Sequence, residues 1–206
     1  MKNSLRIKRM VGIASLAAVV AVLQVLSLFI KFGEFSITLA LIPLVVGAIL
    51  YGVSGGAILG FVMGFIVLVT NAEAFYVINP VATIILCLVK STAAGIVSAL
   101  AFKLLYKKNF VVAVVLASIL APIVNTGIFA LGCIVFFFDT LKTWAGGSDV
   151  LGYLFLTMIG INFIIEFLVN SILSPAVTQV SKIALKNFNL GTTFDLEDDE
   201  DLDIEE

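Results

Sequence analysis

The chain has no histidine, which removes histidine-ligated metals and imidazole acid/base chemistry in one step. Its two cysteines, Cys87 and Cys133, stand inside apolar runs without C-x-x-C spacing, so both read as small core residues rather than a disulfide or a metal site. Charge is scarce too: Asp, Glu, Lys and Arg make up 13% of 206 residues, where soluble domains carry about a quarter. No G-x-x-x-x-G-K-[ST] loop is present, since Lys90-Ser91-Thr92 lacks the glycines in front. With no paired catalytic carboxylates either, no enzyme, cofactor or nucleic-acid partner is expected.

What fills the chain instead is 61% hydrophobic residues in continuous runs, without the alternation of a β-barrel. The expected fold is an all-α integral membrane protein with six transmembrane helices, over about 10–30, 36–50, 56–70, 80–105, 110–138 and 151–180, in one compact bundle. The run behind Lys2, Arg6, Lys8 and Arg9 continues for about 20 residues without a clear cleavage site, so it reads as a retained first span. Pro43 should interrupt the second span, and Gly52, Ser54, Gly55 and Gly56 should turn the chain into the third. There Gly56, Gly60 and Gly64 repeat every four residues and predict a flat packing face. After a six-helix domain over 1–189 comes an acidic tail, 190–206. Its last twelve residues, DLEDDEDLDIEE, hold nine acids and should be disordered.

Nine basic residues flank the first span, the junction of the fourth and fifth, and the end of the sixth, against Lys31 and Lys142 on the other side. The positive-inside rule then places both termini in the cytoplasm. The most informative stretch is NPVATIILCLVKSTAAG (79–95). Asn79 followed by Pro80 reads as a helix N-cap with proline at the first position, and Lys90 falls roughly 16 Å further on, near the middle of a bilayer core about 30 Å thick. An ammonium there costs several kcal/mol, so it needs a partner, a ligand or water. Thr83 and Lys90 lie within about 40° of Asn79 on a helical wheel. Asn162, Glu166 and Asn170 form a second polar stripe, Asn125 sits beside Pro122 in APIVNTGIF, and Gln24 lies in the outer half of the first span.

Together Gln24, Asn79, Thr83, Lys90, Asn125, Asn162 and Glu166 describe an outward-opening pocket. Trp144, in a loop over 139–150, would cover the apolar part of a ligand, with Phe75 and Tyr76 from a loop over 71–78. The competing structural reading has Lys90 and Glu166 pairing with each other, Asn79 acting only as a cap, and the amides bonding between helices.

The stretches ITLALIPLVVGAILYGVSGGAILGF (37–61), NPVATIILCLVKSTAAG and APIVNTGIFALG (121–132) resemble the substrate-binding S component of an energy-coupling factor transporter. The resemblance implies a multi-pass protein of a prokaryotic plasma membrane that captures a B-vitamin from outside, pantothenate being the first choice. It also implies a transmembrane coupling subunit and two ATPases as partners, and toppling in the membrane to release the solute inward. The matching docking surface would be Ala14, Ala17, Ala18 and Ala21, a small-x-x-x-small pattern on the first span. The gating loops would be Lys31–Ser36 and Asn71–Ile78, with Asp139–Val150 closing the site; the acidic tail departs from the family's usual end. The rival class is a stand-alone proton-coupled secondary transporter working through Glu166, against which the lack of an evident inverted repeat argues.

Overall fold

The computed structural model describes residues 2–29, 31, 32, 35, 36 and 38–188, with side chains over 6–29 and 38–186. The acidic tail, and Gly33 and Glu34 of the first polar break, lie outside the described residues. The long helices are α1 (Lys2–Leu26), α2 (Leu41–Asn71), α4 (Pro80–Leu105), α5 (Phe110–Phe136) and α8 (Gly160–Phe188), with short α3 (Glu73–Tyr76), α6 (Phe138–Ala145) and α7 (Val150–Gly152) between them. Strands β1 (Lys31–Phe32) and β2 (Phe35–Ser36) pair antiparallel, Lys31 opposite Ser36.

Among the described residues five helices, not six, are long and apolar enough to cross a membrane. The difference lies in α2, where the segments expected as separate spans join without a loop at Gly52. Gly52 has φ 68° and ψ −158°, a conformation essentially closed to other residues, and the chain doubles back there. A Cβ added to Gly47 would strike Leu59, and one added to Gly55 would strike Tyr51, so the arms 41–51 and 53–71 face each other. The bend therefore needs one glycine rather than four small residues. Gly55 and Gly56 are helical and serve packing instead. Arg9 of α1 secures the bend, its guanidinium donating to the carbonyl of Tyr51 at 2.6 Å and to Ser54 Oγ at 2.8 Å.

Pro43 does not interrupt a span. It sits in the first turn of α2, where a missing N–H is no loss. The 139–150 loop is likewise mostly helical: α6 carries Asp139 in its first turn, pairs it with Lys142 at 2.9 Å, and ends on left-handed Gly146.

In the bundle α2 packs on α1 and α4, α4 on α5, α5 on α8, and α8 returns to α2. The α2–α4 contact is backbone to backbone. A Cβ on Gly56, Gly60 or Gly64 would run into the backbone of Gly95, Ser91 or Cys87 respectively. The two larger of three apolar clusters among the described residues fill most of the interior. Ala99 and Phe102 of α4, Ala117 and Ala121 of α5 and Val177 of α8 belong to one; Ala82 and Leu86, Ala130 and Cys133, and Met158 and Ile159 belong to the other. On each of these helices the polar residues Lys90, Asn125 and Glu166 fall between the two clusters.

Candidate functional site

That intermediate level is hollow. A cavity of about 110 Å³ opens there, lined by Gln24 of α1, Thr38, Thr83 and Lys90 of α4, Asn125 of α5, and Asn162 and Glu166 of α8. Apolar wall is supplied by Val67, Phe75, Leu86, Cys87, Phe129 and Met158. Six of the eight residues expected to bind a ligand thus surround one space. Asn79 and Trp144 do not line it.

Asn79 is a helix cap, accepting the N–H of Ala82 on its side-chain oxygen at 3.1 Å, while its carbonyl accepts the Thr83 hydroxyl at 2.8 Å. Replacement by alanine should cost about 1 kcal/mol of stability, read as a lower thermal midpoint in detergent. Trp144 stands one layer behind, edge-on to Phe75 at 5.4 Å. Phe75 itself reaches the cavity, held also against Phe129 and Phe137 at 5.6 and 5.0 Å.

Lys90 and Glu166 do not pair with each other. The Lys90 ammonium lies 4.9 Å from the centroid of the Phe129 ring and, among the described residues, has no hydrogen-bond or ion-pair partner. Glu166, 5% exposed, accepts the backbone N–H of Thr38 on Oε1 at 2.8 Å. The neighbouring amides are also unsatisfied. Both side-chain polar atoms of Gln24, which is 1% exposed, and the side-chain oxygens of Asn125 and Asn162 find no partner among the described residues. Buried polar atoms cost free energy unless bonded, and here they border a space where a ligand or water can supply the bonds. Asn170, the third member of the α8 stripe, is outside the site, its amide donating to the Glu166 carbonyl at 2.8 Å.

Sequence reasoning missed several wall residues. Cys87 is buried, as expected of a small core residue, yet it also faces the cavity. Thr38 follows the short hairpin, and its role depends on a backbone N–H that no residue pattern marks. Tyr153–Met158 forms a π-helical segment ending in an N–H of Ile159 bonded five residues back to Leu154 at 3.0 Å. Such segments alter the facing of the helix that follows, here the one carrying Asn162 and Glu166.

The Thr38–Glu166 bond ties the end of the first loop to the cavity wall. Glu166→Ala should release it and raise the rate at which a small water-soluble thiol reagent modifies Cys87 about tenfold, with peptide mass spectrometry locating the adduct. Glu166→Gln keeps an acceptor oxygen and should restore most of the protection.

No curated protein and no solved structure matched the chain. The model of one family, described as the ECF transporter, substrate-specific component, matches residues 8–178. With the apolar helices and a polar cavity between them, that match places the chain in the substrate-specific component family of ECF transporters: a multi-pass membrane subunit that binds substrate and is not an enzyme.

Proposed function

We propose that the cavity captures a small anionic, hydroxyl- or amide-bearing nutrient from outside a prokaryotic cell. A B-vitamin is the expected class and pantothenate the first choice. The observation that carries this reading is the Lys90 ammonium, turned to the cavity beside unsatisfied amides and without a carboxylate partner among the described residues. A carboxylate would satisfy the ammonium, and the amides of Gln24, Asn125 and Asn162 would serve hydroxyl and amide groups.

In this reading the two arms of α2 count as separate passages, giving six, with both termini cytoplasmic by the distribution of lysine and arginine. The first loop, the α3 segment and α6 then lie outside, over the solute. Partners are a transmembrane coupling subunit and two ATPases. Ala14 and Ala18 are exposed on α1, while Ala17 and Ala21 are half-buried, so the first pair offers the closer approach. The domain remains 1–189, with the acidic segment 190–206 given no part in transport.

Mass spectrometry of the solute released from the purified, detergent-solubilised protein tests the substrate. A monoanionic vitamin supports the reading, and a cationic or wholly apolar solute defeats it. Uptake that stops when the coupling ATPases are deleted excludes a stand-alone proton-driven carrier; uptake that persists on a proton gradient would support one.

A further inference from the structure

We infer that the cavity reads charge at both ends of its solute, taking one that is anionic at the Lys90 end and carries a hydroxyl, amide N–H or ammonium at the Glu166 end, and rejecting one anionic at both. The inference rests on the reading of this cavity as the solute site. Two groups of opposite charge type face one small space without forming an ion pair with each other. Lys90 stands against Phe129 on the α4–α5 wall, and Glu166 belongs to the α8 wall beside Gln24 and Thr38.

The other polar groups do not discriminate by charge. The amides of Gln24, Asn125 and Asn162 and the Thr83 hydroxyl each offer both donor and acceptor character. Among the described residues, selection by sign therefore falls to these two ionic side chains. One oxygen of Glu166 accepts the Thr38 N–H at 2.8 Å, and the Thr38 side chain also lies against the carboxylate. Its carboxylate forms no ion pair with a described lysine or arginine, so a donor on the solute is welcome and a second anion meets repulsion in a poorly screened interior. Building an unfavourable contact against the wrong solute is an economical way to separate two molecules that share a skeleton. The pair it separates best is a monoanionic nutrient and its phosphate ester.

The test is a thermal-shift titration of the full chain in detergent with three probes on one skeleton: pantothenate, panthenol, in which an alcohol replaces the carboxylate, and pantothenate phosphorylated on its terminal hydroxyl. Pantothenate is expected to bind at least a hundredfold more tightly than either of the others. In Glu166→Gln, which keeps the acceptor for Thr38, the ratio of ester to pantothenate dissociation constants should fall at least tenfold, while the panthenol ratio should not. An ester that binds wild type as well as pantothenate, or a ratio that does not move in the variant, overturns the inference. If none of the probes binds, pantothenate falls as the substrate and the co-purifying solute decides. One anionic end sustains the charge rule; anionic groups at both ends sink it while leaving the binding-subunit reading in place.

Discussion

Lys90→Met is expected to weaken binding of the anionic solute a hundredfold or more, equivalent to about 2.7 kcal/mol, while the protein still folds. The two halves of that expectation have separate causes. Binding suffers because the ammonium is the cationic side chain of the cavity among the described residues, and a carboxylate brought there without it loses both its charge partner and its hydrogen-bond donor. Folding survives because Lys90 forms no ion pair or hydrogen bond with a described residue, so its removal breaks no such bond. Methionine retains the unbranched stem and can still rest against Phe129, which the lysine now approaches at 4.9 Å. Lys90→Arg should fall between the two, keeping the charge but crowding a small cavity with a planar fork. Dissociation constants for the solute identified by mass spectrometry, with thermal midpoints measured beside them, check both halves. Equal affinity in a folded Lys90→Met protein would remove this lysine from the site.

Much of this arrangement was legible because lipid makes polar residues conspicuous. A lysine at position 90 and a glutamate at 166 each interrupt an apolar run and each face the cavity, as do Gln24, Asn125 and Asn162. The N-cap at Asn79 could be read from its proline, and the same residue's absence from the cavity follows from that role: its side-chain oxygen is committed to Ala82. Trp144 stands behind Phe75 rather than on the cavity wall because the segment that reads as an open loop is α6. Two glycines after a single amphipathic turn look like a loop, whereas the Asp139–Lys142 pair and the left-handed Gly146 close a short helix that holds the indole behind Phe75. Gly52, Ser54, Gly55 and Gly56 together predict a tight turn between two spans. Backbone geometry assigns the bend to Gly52 and leaves Gly55 and Gly56 to close approach, a division that composition does not contain. The Thr38 N–H and the π-helical segment act through the main chain, and no side-chain pattern reports those.

The second large effect concerns the glycines. Gly60→Leu should abolish recovery of monodisperse protein, or lower stability by about 3 kcal/mol or more if some folds. Overpacking commonly costs 1–3 kcal/mol where side chains can rotate aside. At Gly60 the obstruction is the main chain of α4, since an added Cβ would meet the Ser91 carbonyl oxygen and Thr92 Cα, and neither can turn away. The only relief is to separate α2 from α4. Separation would strip contact from Gly56 and Gly64 as well, because both press on the same helix at Gly95 and Cys87. It would also reach the site, since Cys87 lines the cavity and Lys90 follows it on α4. A protein that survived the substitution should therefore bind its solute poorly even with every polar side chain intact. Gly127 provides the comparison: it too lies in a long helix, but a Cβ there meets nothing within 4 Å, so Gly127→Leu should be neutral or slightly stabilising through helix propensity. Thermal midpoints that fall for position 60 and hold for position 127 would identify backbone contact, rather than glycine content, as what sets the spacing of α4. Equal midpoints for the two variants would contradict the packing on which the cavity depends.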